Sequence, residues 1–146
     1  MYEFISYSEQ DTIDFAQKIA TKLNKNDIIT LSGDLGAGKT KFTEGILKYF
    51  DLQQEISSPT FTIVNKYEKN NIIIYHLDLY RLNNIEEFLN IGGEEYLNNG
   101  ICIIEWAEII QNILPKDHIR IEFSKNSNND NMRKIIIHSP NRNLFN

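Results

Sequence analysis

One cysteine, one tryptophan and three prolines are scattered through 146 residues. A single thiol, Cys102, excludes an internal disulfide and a cysteine-rich zinc site. It sits in the apolar run Ile101-Cys102-Ile103-Ile104, so a buried, inert side chain is expected. Long apolar runs are lacking as well. Residues 101–104 and 72–75 fall far short of the roughly 20 residues that a bilayer span needs. The start, Met1-Tyr2-Glu3-Phe4, has neither the basic segment nor the apolar core of a secretion signal. A cytoplasmic chain without membrane contact is the expectation. Positive charge is short too: 15 Lys and Arg stand against 20 Asp and Glu, a net charge of -5. That argues against a free-standing nucleic-acid binder, which presents a basic surface, and leaves room for a basic partner.

What is present suits one folded domain, spanning residues 1–146. With 41% hydrophobic and 24% charged residues the chain is not disordered, and its length is enough to enclose a core. No composition break marks a linker, and there is no internal repeat. One stretch is of low complexity, residues 124–131 (Ser-Lys-Asn-Ser-Asn-Asn-Asp-Asn). It has no apolar residue and predicts a surface loop.

The periodicity predicts a strand over 2–6, then a helix capped by Ser8, with Asp11 as a weak capping box and Ile13, Ala16, Ala20 and Leu23 on one face. Residues 27–32 (Asp-Ile-Ile-Thr-Leu-Ser) read as a buried strand. A second amphipathic helix over 39–50 aligns Phe42, Ile46 and Phe50. Strands over 61–68 and 72–77 flank Lys69-Asn70-Asn71, a hairpin turn by the tolerance of Asn for left-handed backbone. A helix over 85–91 stops at Gly92-Gly93, a buried strand covers 101–105, and 118–123 with 132–138 form a closing hairpin. Strands alternating with helices early and hairpins late indicate an α/β domain with a mixed sheet.

The strongest motif is Gly33-Asp34-Leu35-Gly36-Ala37-Gly38-Lys39-Thr40, which fits G-x-x-x-x-G-K-[ST] without a gap. Its glycines turn several N–H groups inward, and with the positive end of the following helix they cradle phosphate oxygens. Lys39 reaches the terminal phosphates as a point charge, and Thr40 offers its hydroxyl to Mg²⁺. An apolar strand enters the turn and an amphipathic helix leaves it, which is the context such a loop requires. The partner acid is Glu105, after four apolar residues at a strand end, where ligands of open α/β sheets gather. Alone it is an ordinary strand-end acid; beside a phosphate loop it can hold the metal through water or orient the attacking water. Asp78, in His76-Leu77-Asp78-Leu79-Tyr80-Arg81, shares an alternating strand face with His76 and Tyr80. That face suits either a solvated edge or a phosphate and metal site. Thr60, in Ser57-Ser58-Pro59-Thr60-Phe61, is placed to sense a γ-phosphate or the metal, although by pattern alone a plain turn is the preferred reading.

Asn65-Lys66-Tyr67-Glu68 imitates the guanine-reading N-K-x-D motif, but it carries Glu for Asp and lies mid-strand ahead of Glu105. ATP is therefore expected over GTP. The four ordered motifs (Gly-Asp-Leu-Gly-Ala-Gly-Lys-Thr, Ser-Pro-Thr-Phe, His-Leu-Asp-Leu-Tyr-Arg and Ile-Glu-Trp) resemble the TsaE family, also called YjeE, over nearly the whole chain. The resemblance implies a single-domain P-loop ATPase with a mixed central sheet, needed for threonylcarbamoyladenosine synthesis beside the tRNA anticodon. It implies ATP and Mg²⁺ as cofactors and the TsaD and TsaB subunits as partners, with tRNA met only indirectly. Such an ATPase resets the complex and does not perform the transfer. By motif match, residues 36–40 bind phosphates, Asp34 and Leu35 join them in the cofactor site, Thr40, Glu105 and Asp78 surround the metal, and Lys39 and Thr60 join the two acids as catalytic groups. Thr12, Glu108 and Arg133 match nucleotide-contacting positions, and Trp106 lies near the nucleotide. No arginine finger is evident in the sequence, and Arg81 is a candidate stand-in. Two rival readings stay open, a small-molecule kinase and a nucleotide-controlled binding module. Four scattered arginines (Arg81, Arg120, Arg133, Arg142) leave little material for a kinase lid.

Overall fold

The structure, a computed structural model, describes residues 1–34, 36–52 and 63–145. Seven strands among them form one mixed sheet: β1 (Tyr2–Ser6), β2 (Ile28–Gly33), β3 (Val64–Lys69), β4 (Ile72–Asp78), β5 (Ile101–Glu105), β6 (Ile119–Asn126) and β7 (Asn129–His138). The order is β1-β7-β6-β2-β5-β4-β3. β2 runs parallel to both β5 and β6, and β4 runs parallel to β5. The remaining pairs, β1–β7, β6–β7 and β3–β4, are antiparallel. Helices α1 (Glu9–Ala20), α2 (Lys39–Tyr49), α3 (Ile85–Asn90) and α4 (Gly93–Leu97) and a 3-10 helix over Ala107–Ile113 cover the sheet.

Strand alternation sorts the core into two halves. On one face Ile29, Leu31, Ile74, Ile103 and Ile121 meet Phe15 and Ile19 of α1 and Phe42 and Ile46 of α2. On the other, Leu77, Cys102 and Ile104 meet Phe88 of α3, Leu97 of α4 and Ile110. β5 is buried on both faces, which is why its sequence is a continuous apolar run. Burying a side chain such as the fully enclosed Phe42 contributes about 1.5–3 kcal/mol. The same alternation decides where chemistry sits. His76 and Asp78 follow Ile74, and Glu105 follows Ile103, so all three project to the α1–α2 face.

The β3–β4 hairpin turns at Asn70 and Asn71, both at positive φ (53° and 68°), as expected. Ser8 caps α1 by accepting from the Asp11 N–H at 3.0 Å. The Asp11 carboxylate reaches past the cap and accepts from the Tyr7 N–H at 2.9 Å, so the capping box is displaced by one residue. Leu23 lies beyond the end of α1, half-buried against the core.

Three expectations are corrected. The polar stretch 124–131 is mostly strand: β6 and β7 run through it to a turn at Ser127 and Asn128. These strand ends project past the helices into solvent, so their polar composition reflects exposure on both faces. Gly92 does end α3 at φ 82°, yet Gly93 opens a further short helix. A Cβ at Gly93 would lie 2.3 Å from the Phe88 ring, so the missing side chain lets α4 fold back over α3. Tyr80 does not share a strand face with His76 and Asp78. β4 ends at Asp78, whose carboxylate accepts from the Tyr80 N–H at 3.0 Å and turns the chain outward. Of the expected strand over 61–68, residues 61 and 62 lie outside the described residues.

Candidate functional site

The turn after β2 is shaped by backbone. Gly33, Gly36 and Gly38 have φ of 139°, 78° and 110°, a region costly for residues with a Cβ. At Gly33 a Cβ would also lie 2.3 Å from the Phe123 carbonyl oxygen on β6. The Ala37 N–H donates to Asp34 O at 3.0 Å and closes the turn. Gly38 is then the N-cap of α2 and supplies no capping side chain. The first N–H groups of α2 thus face the cleft with the positive end of the helix dipole behind them.

Lys39 is buried at the base of this turn, its ammonium donating to Gly33 O at 2.8 Å. The same nitrogen lies 3.8 Å from Glu105 Oε1 and 5.7 Å from the centre of the Trp106 ring. Glu105 and Asp78 are register partners at the ends of β5 and β4, which brings two carboxylates opposite the loop. The other oxygen of Glu105, Oε2, is 2.7 Å from His76 Nε2. Trp106 follows at φ 59°, a strained conformation that turns the chain off β5 and sets its ring against that of Tyr80, 4.9 Å between centres.

A cleft of about 380 Å³ joins these groups. Of the residues singled out by sequence, Thr12, Gly36, Gly38, Lys39, Thr40, Asp78, Glu105, Trp106 and Arg133 line it. Asp34, Ala37 and Glu108 do not: Asp34 and Glu108 are exposed, and Ala37 is buried under the turn. Arg81 is exposed and also off the cleft. Leu35 and Thr60 lie outside the described residues. Thr12 is fixed by a hydroxyl bond to Ser6 Oγ at 2.7 Å, and since Ser6 donates to Ser8 O, Thr12 is the donor. Arg133 comes from the β6–β7 arm and donates to Gly36 O at 3.5 Å. Its cross-strand partner Lys125 would stand 3.1 Å from a Cβ at Gly36, so two cations flank the turn.

Sequence reasoning missed Ser8, Glu9, Lys41 and Asn131 in the lining. Lys41 bonds the Glu44 carboxylate, which raises its pKa above the usual lysine value, with Glu9 adding a smaller push. The cap signal at Ser8 marks the start of α1 but says nothing of its facing the loop. Cys102 is not part of the site. Burial pushes its thiol up to about 12, and its Sγ bonds Tyr96 O at 2.8 Å.

A glycine turn between a central parallel strand and a helix, faced by acids from neighbouring strand ends, defines the phosphate-loop class of α/β nucleotide-binding proteins. The family model of the threonylcarbamoyl adenosine biosynthesis protein TsaE matches residues 6–135. The chain belongs to the TsaE family, and so to tRNA threonylcarbamoyladenosine biosynthesis. It is 44% identical over 130 residues to the Rickettsia conorii protein bearing that name, covering 88% of this chain and 74% of the relative. It is 37% identical to the Bacillus subtilis one, covering 77% and 70%. A crystal structure of Bacillus subtilis YdiB is similar at a TM-score of 0.76 and 30% identity, over 94% of this chain and 84% of that one. Among the described residues no helix is long and apolar enough to cross a membrane.

Proposed function

We propose that this chain is a Mg²⁺-dependent ATP hydrolase whose turnover serves the TsaD and TsaB subunits that carry out threonylcarbamoyl transfer to tRNA. The observation that carries the reading is the meeting of Lys39, Thr40, Asp78 and Glu105 in one cleft at the phosphate loop. The residues fit the cofactor. Thr40, Asp78 and Glu105 offer hard oxygen donors, and Mg²⁺ is held by one or two carboxylates together with substrate phosphates and water.

When bound, the metal neutralises phosphate charge. The loop amides and Lys39 bind and orient the phosphates, and Glu105 or Asp78 orients water and receives its proton. Arg133 and Lys125 add positive charge at Gly36. Thr60 is the switch residue of the family reading. With Arg81 off the cleft, turnover by the chain alone is slow, and the partners accelerate it. The mid-strand position of Asn65-Lys66-Tyr67-Glu68 in β3 favours adenine over guanine nucleotides.

The test is phosphate release from Mg-ATP by the purified chain, with and without TsaD and TsaB, beside Glu105→Ala. Loss of hydrolysis and of tRNA modification in the variant supports the reading. Retained modification without hydrolysis favours a nucleotide-controlled binding module, and phosphoryl transfer to a metabolite favours a kinase.

A further inference from the structure

We propose that His76 is the positioning residue of Glu105: its Nε2–H holds Oε2, which keeps the carboxylate from bonding the Lys39 ammonium directly and leaves Oε1 as the working oxygen. This rests on the reading of Glu105 as an acid of the ATP site.

The placement follows from strand geometry. His76 pairs with Ile103 across parallel β4 and β5, and Glu105 is two residues further along the same face. The two side chains therefore meet on the diagonal, 2.7 Å apart. His76 is only 3% exposed and otherwise stands in an apolar row behind Ile74. A carboxylate only accepts, so Nε2 is the donor. Among the described residues His76 Nδ1 is buried with no hydrogen-bond partner. An Nδ1–H there would be a buried donor without an acceptor, whereas the Nε2–H tautomer leaves only a lone pair. Apolar packing alone gives no reason for an imidazole with a bare ring nitrogen. The bond to Glu105 does.

Its consequence lies on the other oxygen. Glu105 Oε1 stands 3.8 Å from the Lys39 ammonium, beyond hydrogen-bond reach. An untethered carboxylate would close that gap and bond the ammonium directly, which would withdraw both the acid and the cation from the phosphates. With Oε2 held in the protein interior, the two stay an ion pair at 3.8 Å without a direct hydrogen bond. Among the described residues the Asp78 carboxylate has no such tether: it accepts only from the exposed Tyr80 N–H.

The test uses the full chain. Long-range ¹⁵N NMR, with the His76 ring assigned by its loss in His76→Gln, should show the Nε2–H tautomer. Glu105→Ala should shift that Nε2 signal. In steady-state ATP hydrolysis, His76→Leu should lower kcat about tenfold or more, the usual scale for an outer-shell partner, with KM changed by less than about threefold. His76→Gln, which returns a donor at the same reach, should recover much of the loss. An Nδ1–H tautomer, an Nε2 signal indifferent to Glu105→Ala, an unchanged kcat in His76→Leu or a failed Gln rescue would overturn the proposal. Should the wild type release no phosphate from ATP, the hydrolase reading falls by itself, and the ring signals alone decide whether His76 holds Glu105. The wild-type tautomer stands as a test even if the Leu variant does not fold.

Discussion

Asp78 and Glu105 are paired residues at the ends of adjacent parallel strands, and both carboxylates turn to the face that carries the phosphate loop. Asp78 is only half-buried. Asp78→Asn is isosteric, so the melting temperature should stay within about 2 °C of wild type. The Mg²⁺ dependence of ATP affinity should fall about tenfold or more, because one of two hard anionic donors is lost. Titration calorimetry with and without Mg²⁺ reads this. An intact Mg²⁺ response would remove Asp78 from the metal's surroundings.

Gly45 lies where α2 crosses α1. A Cβ there would stand 2.4 Å from Ile13 O and 2.6 Å from Ala16 Cβ, neither of which can swing away. Helix propensity alone would make Gly45→Ala stabilising by about 1 kcal/mol. Overpacking at a helix crossing costs about 1–3 kcal/mol, so the net effect should be destabilising. Thermal unfolding followed by circular dichroism should show a lower midpoint; a rise would mean that α1 and α2 separate at little cost.

The thiol of Cys102 should be silent in the native chain. With its pKa pushed up to about 12, the group is protonated at pH 8, and the thiolate that reacts is scarce. It is also fully buried. A disulfide-exchange reagent at pH 8 should label no thiol until denaturant unfolds the sheet, then one per chain. Fast native labelling would show that β5 opens readily.

Most of the site was legible because its chemistry is local. The phosphate loop is contiguous, and Asp78 and Glu105 end apolar strands whose alternation fixes their face. The parallel register that sets the two acids side by side was not legible, since nothing in either strand's sequence specifies its neighbour. In the sequence His76 is one of three polar residues that alternate toward one strand face, and its bond to Glu105 appears only once β4 and β5 are adjacent. The Asn-rich arm was misread for a physical reason: a strand end with both faces in water has the composition of a loop. Its Asn126 side chain accepts from the Asn128 N–H at 2.7 Å, which lets the turn take only a few residues. That arm carries Asn131 and Arg133 to the cleft, so a misread loop concealed part of the lining.

The most direct test of the account is isothermal calorimetry of the chain with Mg-ATP, beside Lys39→Ala. Lys39 is the one side chain bonded to the loop's own carbonyl at Gly33 among the described residues, and it faces Glu105. The account predicts saturable binding of one nucleotide per chain, weakened about tenfold or more when the ammonium is removed, as the loss of a charge-assisted phosphate contact requires. No heat of binding at any Mg²⁺ concentration, or equal affinity in Lys39→Ala, would contradict it.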